Sequence, residues 1–172
     1  MPLTVILGGA RSGKSRLAVE LATASAAPVT FVATGEPGDE EMAARIALHR
    51  AERPESWVTV EEPYALEATL AGADPSHTVV VDCLTLWTAN ALARDGDPAR
   101  VLDAAASAAT VAATRDALTL AVSNEVGLGI VPFEPASRAY RDLLGSVNRV
   151  WVEASADAVF VVAGRMLRLE AR

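Results

Sequence analysis

Eight residues near the start of the chain, Gly8-Gly9-Ala10-Arg11-Ser12-Gly13-Lys14-Ser15, match the spacing GxxxxGK[ST] in full. The pattern suits a polyphosphate. Its glycines let the backbone curl, so that successive N–H groups and the N-terminus of the following helix face the β-phosphate. Lys14 adds a cation and Ser15 a hydroxyl ligand for magnesium. An ordinary glycine turn before a helix needs neither the lysine nor the serine. A bound nucleoside triphosphate also asks for an acidic residue at the end of a neighbouring buried strand, within reach of the magnesium shell. Asp82, which closes the run Thr78-Val79-Val80-Val81, fills that place. Without the glycine loop it would read as readily as a turn or helix cap.

Two histidines are present. His77 follows Ala73-Asp74-Pro75-Ser76, a polar turn, and reads as a solvated loop residue. His49 lies near the end of a helical pattern among Arg45, Arg50 and Arg53; taken alone, it is a histidine favoured by a helix C-terminus. The single Cys83 reads as a small buried hydrophobe. Asn124 and Glu125 follow a strand and precede Gly127 and Gly129; they either touch substrate or shape that loop.

The elements that must position these residues alternate. Leu3 to Leu7 is a short apolar run, and from Lys14 onward Leu17, Ala18, Leu21 and Ala22 recur at helix spacing. Val29 to Ala33 is a second strand. Glu40 to Glu52 has helix spacing and stops before Pro54. Trp57 to Val60 alternates as a strand, and Tyr64 to Leu70 suits a short helix. Thr78 to Val81 is apolar on both faces, as in a parallel sheet. An alanine-rich helix from about Pro98 to Arg115, a strand from Ala117 to Ser123 and a helix from Ser137 to Ala154 follow. Ala158 to Ala163 and Met166 to Leu169 form a closing hairpin around Gly164-Arg165. The order predicts one α/β domain over residues 1–172, P-loop NTPase-like, with a mainly parallel central sheet flanked by helices.

Composition sets the limits. A chain of 172 residues, 51% apolar, buries one substantial core and is too short for two ordinary domains. With 15 basic against 22 acidic side chains it carries a net charge of −7, so a general attraction to nucleic acid has no support. A lone cysteine forms no intramolecular disulfide, which fits a reducing compartment. The N-terminal residues lack the basic region of a signal peptide, and no run reaches the roughly 18 apolar residues of a membrane span, so a cytoplasmic location is expected.

The blocks GGARSGKS (Gly8 to Ser15), Ala33-Thr34, DEEMAARIALHRAERPESWVTVE (Asp39 to Glu61), VVVDCLTLW (Val79 to Trp87) and SNEVGLGIVP (Ser123 to Pro132) recur in the order of one known family. Over about three quarters of its length the chain resembles the bifunctional adenosylcobinamide kinases and adenosylcobinamide-phosphate guanylyltransferases of cobalamin assembly. The glycine loop is widely shared; the segments His-Arg-x-x-Arg-Pro-x-x-Trp and Asn-Glu-Val-Gly-x-Gly-Ile-Val-Pro are specific.

The resemblance implies two reactions. Adenosylcobinamide is phosphorylated with ATP or GTP; GMP then passes from GTP, through a covalent intermediate on His49, to adenosylcobinamide phosphate. It implies that Lys14 and His49 are catalytic and that Gly8 to Ser15 hold the triphosphate. Ala33, Thr34, Gly35, Arg50, Ala51, Glu52, Arg53, Glu61 and Asp82 line the nucleotide, with Mg2+ on Ser15 and Asp82. Glu61 is the candidate for the guanine edge, since a carboxylate accepts from adjacent N–H donors. A homotrimer is implied as well. One departure stands out: Ser146 to Glu153, with Trp151 and Glu153, replaces a glutamine- and alanine-rich helix. The rival readings are a P-loop kinase of another small molecule, with His49 a helix-end residue, and a nucleotide-gated binding protein.

Overall fold

Strand β1 (Leu3–Gly8) sends its side chains alternately into two apolar layers, and the rest of the molecule is laid on those layers. Leu3, Val5 and Leu7 enter one cluster and Ile6 the other. The computed structural model describes residues 3–36, 38, 50 and 53–170. After β1 come α1 (Lys14–Ala24), β2 (Val29–Ala33), β3 (Val58–Glu61), α2 (Leu66–Gly72), β4 (Thr78–Asp82), α3 (Leu84–Asp95), α4 (Pro98–Thr114), β5 (Thr119–Asn124), α5 (Pro135–Ala154), β6 (Asp157–Val162) and β7 (Arg165–Leu169).

The strands make one seven-stranded sheet in the order β3-β2-β4-β5-β1-β6-β7. All neighbours run parallel except β7, which turns back against β6. On one face Leu66 and Leu70 of α2, Leu84 and Trp87 of α3, Val101 and Ala105 of α4 and Val147 and Trp151 of α5 close over Val5, Val79, Val81 and Ala121. On the other, Ala18 and Ala22 of α1 pack on Ile6, Phe31, Val80 and Leu120. Burial on both faces makes the central strands read as unbroken apolar runs. The α/β class and the parallel sheet are as the sequence predicts.

Four details differ from the sequence reading. Helix α3 has no counterpart there, although Leu84, Trp87, Thr88 and Ala91, all buried, stand at helix spacing; two threonines on the buried face break the apolar pattern. Asp82 does close its strand, but β5 lies between that strand and β1, so the acidic strand is the second neighbour of the glycine loop. The hairpin turns at Ala163-Gly164, both at positive φ, and Arg165 is already in β7. His77 is half-buried and its Nδ1 lies 2.9 Å from the Thr30 hydroxyl, so it is a hydrogen-bonded residue rather than a solvated one. Trp151, which departs from the family pattern, is wholly buried in the core. Of the expected Glu40 to Glu52 helix only Arg50 is described, and it is helical.

Candidate nucleotide site

Parallel pairing brings five strand ends to one crest. Register sets Ala33 against both Glu61 and Asp82, Asp82 against Val122, and Asn124 against Gly8. Open α/β sheets bind ligands at this carboxyl end of the strands.

Gly8 ends β1 where a Cβ would run into the Val161 carbonyl oxygen of β6, so no other residue fits without moving the sheet. Gly13, at φ 102, turns the chain into α1, whose first residue is Lys14. Between them Ser12 N–H donates to the Gly9 carbonyl at 3.3 Å, and Gly164 N–H of the hairpin donates to the Ser12 carbonyl at 2.9 Å, clasping the loop from outside. The buried Ser12 hydroxyl has no hydrogen-bond partner among the described residues, which fits a donor turned toward a phosphate in the cradle. Lys14 folds back so that Nζ donates to the Gly9 carbonyl at 2.6 Å. Burial lowers its pKa, while the negative potential of Cys83 and Asp82 opposes the shift.

Asp82 also acts on Arg53, whose pKa burial lowers and Asp82 raises. The Arg53 guanidinium carbon lies over the Phe31 ring, 3.5 Å from its centroid, and Phe31 stacks on Trp57. Arg50 reaches Glu61 at 3.4 Å in an exposed ion pair. Lys14, Asp82, Arg53, Arg50 and Glu61 therefore share one crest, which Ser15 joins through the first turn of α1. His49, Ala51 and Glu52 lie outside the described residues.

Thr34 is fully buried and entirely engaged: its hydroxyl donates to the Cys83 carbonyl at 2.7 Å and accepts from the Cys83 N–H at 2.8 Å. Its own N–H bonds the Asp82 carbonyl and its carbonyl takes the Asn90 amide. Thr34 holds the ends of β2 and β4 together. Cys83 is buried, as expected, with its thiol pKa pushed up to about 11, chiefly by burial.

Three residues that the sequence reading did not single out brace β5. Thr85 of α3 accepts from the Asn124 N–H at 2.7 Å, and Asn148 of α5 donates to the Asn124 carbonyl at 3.0 Å. Ser123, fully buried, donates to Asn148 at 2.6 Å. Asn148 lay within sight, as a carboxamide on a helix face that otherwise shows Leu144, Val147 and Trp151. Such a buried polar group must have partners. Glu125 shapes its loop, accepting from the Gly127 N–H at 2.6 Å.

A glycine cradle at a helix N-terminus, with a lysine inside it and an aspartate on the same crest, defines a P-loop nucleotide-binding protein. Comparison with known sequences narrows that class. The profile of the cobinamide kinase / cobinamide phosphate guanyltransferase family matches residues 4–169, and the chain belongs to that family. It is 45% identical, over 96% of both chains, to the bifunctional adenosylcobalamin biosynthesis protein CobP of Pseudomonas aeruginosa. It is 37% identical to the CobU proteins of the same description from Escherichia coli and Salmonella typhimurium, over 94% of this chain and 96% of each of theirs. A solved structure, the RadB recombinase, aligns with 92% of this chain and 73% of its own at 18% identity and a TM-score of 0.47. The protein is accordingly a cobinamide kinase and cobinamide phosphate guanyltransferase. Among the described residues no helix is long and apolar enough to cross a membrane.

Proposed function

We propose that this single domain runs both reactions at one crest, with ATP or GTP held by Gly8 to Ser15. The observation that carries the reading is that Lys14, folded into the glycine loop, and Arg53 both lie near enough to the Asp82 carboxylate to feel its charge. In the kinase step the γ-phosphoryl passes to the hydroxyl of the aminopropanol arm of adenosylcobinamide. Lys14 and the loop N–H groups fix the triphosphate and offset the charge that develops on it. The Ser15 hydroxyl and the Asp82 carboxylate are hard oxygen donors of the kind Mg2+ takes beside phosphate oxygens. When bound there, Mg2+ supplies further charge neutralisation. Asp82→Asn should raise the magnesium requirement of both reactions; an unchanged magnesium titration returns Asp82 to a purely structural part.

In the second step neutral His49 attacks the α-phosphorus of GTP, a P–N bond forms and pyrophosphate leaves. The hydroxyl-borne phosphate of adenosylcobinamide phosphate then displaces the imidazole, giving adenosylcobinamide-GDP. The histidine intermediate is what the family resemblance implies, and the position of the second histidine favours His49. The chain has two histidines. His77 precedes the first residue of β4, at the end of the strand away from the crest, and its ring is hydrogen-bonded to Thr30. At about 3.3 Å per residue, β4 keeps it well over 10 Å from Asp82. Ala33, Gly35, Arg50 to Arg53 and Glu61 border the nucleotide in this scheme, with Glu61 toward the guanine and Thr34, fully buried, holding the strand ends behind them. The reading also takes the protein as a cytoplasmic homotrimer.

The test is intact mass after mixing with GTP and magnesium. The wild type should gain one GMP, His77→Ala should gain it too, and His49→Ala should not, while retaining kinase turnover. Labelling should fade as pH falls through the imidazole pKa, about 6.5 if unperturbed, since the protonated ring has no lone pair. Label captured by His49→Ala, or lost only from His77→Ala, assigns the nucleophile elsewhere.

A further inference from the structure

A groove of about 540 Å³ opens beside the crest, between the loop that follows β5 and the exposed side of α5, lined by Glu125, Gly127, Arg141, Gly145, Ser146 and Arg149. We propose that it is the acceptor site, which takes an edge of the corrinoid ring with its amide arms. The proposal rests on the cobinamide reading above and adds where the acceptor lies.

Position comes first. Glu125 N–H donates to the Gly8 carbonyl at 3.0 Å, so the inner wall of the groove is bonded to the first residue of the cradle. An acceptor hydroxyl must reach the transferable phosphate, and this groove meets the cradle where β5 ends. A hollow at the cradle beside Gly13 and Gly164 holds about 40 Å³, far too little for a ring and its arms.

Chemistry comes second. The walls mix donors and acceptors: Arg141 and Arg149 on α5, Glu125 on the loop and the Ser146 hydroxyl between them. Primary amides carry an acceptor oxygen and a donor NH₂ on the same group and so match a mixed wall better than a uniformly cationic one. Arg141 is held by its neighbour Asp142 through Nε and Nη2, which leaves Nη1 directed elsewhere. Beyond the groove's own lining the loop continues from Gly127 into the exposed apolar side chains of Leu128, Ile130 and Phe133. Polar walls with apolar side chains close by along the chain suit a ring with methyl-bearing edges and polar arms.

Gly145 supplies an independent pointer. It stands in the middle of α5, exposed, where an added Cβ would meet nothing within 4 Å. Glycine weakens a helix interior relative to alanine, and no packing inside the protein calls for it here. A body outside the chain that approaches the helix backbone at this point does call for it.

The groove can therefore be filled without disturbing the fold. Gly145→Leu should raise KM for cobinamide in the kinase assay at least tenfold and Gly145→Ala severalfold. Affinity for a fluorescent GTP analogue, the melting temperature and the mass in solution should stay at wild-type values. Arg149→Gln, on an exposed side chain paired with Glu153, should raise the same KM severalfold and serves if the leucine variant misfolds. Unchanged KM in folded Gly145→Leu and Arg149→Gln overturns the proposal. A changed mass in solution, with or without a change in KM, gives the groove to a second copy of the chain and overturns it as well. Wild-type protein that fails to phosphorylate cobinamide at all sinks the acceptor reading itself, and the groove with it.

Discussion

Between Gly8 and Ser15 the chain works with its backbone, whereas between Asp82 and Asn90 it works with side chains. In the cradle the residue types are dictated by space and by φ: Gly8 has no room for a Cβ, and Gly13 sits at φ 102. Across the crest, α3 spends its first two turns satisfying other segments. Thr85 takes the Asn124 N–H, the Trp87 indole donates to the Tyr64 carbonyl at 2.8 Å, and Asn90 donates to the Thr34 carbonyl at 2.8 Å. The cradle's residue types are set by its own backbone path, held from outside by Val161 and Gly164 at the far end of the chain. The opposite rim is a tertiary solution, in which each polar group is placed by an element from elsewhere in the chain.

Lys14→Ala breaks the cradle at the cation that folds into it and should have the largest effect. Loss of a preorganised charge that contacts the reacting phosphates costs on the order of 10²–10³ in kcat. Kinase turnover and GMP capture should fall together, with little change in urea stability. Near-normal activity in either assay means that the two reactions do not share the cradle.

Gly8→Ala and Gly9→Ala sharpen the local side of the comparison. At Gly8 the new Cβ meets main chain of a paired strand, so the sheet must shift, at roughly 1–3 kcal/mol. At Gly9 it meets nothing within 4 Å, and the change should stay within about 0.5 kcal/mol. Equal urea midpoints for the two variants mean that the loop is softer than its packing implies.

Asn148→Leu probes the tertiary side. It keeps an apolar helix face but strips the Asn124 carbonyl and the Ser123 hydroxyl of a partner, at roughly 1–3 kcal/mol. Asn124 loses one of its two backbone braces, so kcat should fall several-fold more than nucleotide affinity does. Equal losses in both mean that the brace serves the fold alone.

The smallest effect is a pH slope. The Cys83 thiol pKa is raised from 9.0 to about 11, so on raising the pH the unfolded chain loses this proton first. Its contribution is intact below pH 9 and is lost as pH rises toward 11, by roughly 1 kcal/mol at pH 10. Tyr140, raised to about 12 chiefly by burial, adds a similar loss above pH 10. Urea titrations at pH 8 and pH 10 should show Cys83→Ala with a shallower decline than the wild type; equal declines remove Cys83 from the account.

This contrast also explains what could be read in the sequence. The cradle, β2, β4 and the α/β order were legible because each is carried by contiguous residues: a spaced motif, or a run apolar on both faces. Asp82 was legible as the end of such a run, but its distance from β1 was not, because strand order is set by crossovers that no local pattern records. Helix α3 escaped because its buried face includes Thr85 and Thr88, which break the apolar pattern. The bracing of Asn124 was invisible since its acceptor and its donor come from α3 and α5, separated from it by 39 and 24 residues. The grouping of Lys14, Arg53 and Glu61 on one crest followed from family likeness at the level of residues, and from sheet register at the level of space.

The place of β1 in the sheet has a consequence for synthesis. Its partners are β5 and β6, which begin at Thr119 and Asp157, so the first strand made has nothing to pair with until most of the chain exists. At about 5–20 residues per second, Leu3 to Gly8 wait on the order of ten seconds at the ribosome as an unpaired apolar segment. The clasp on Ser12 from Gly164 comes later still. A nascent chain therefore carries this motif long before Gly164, which clasps it, has emerged.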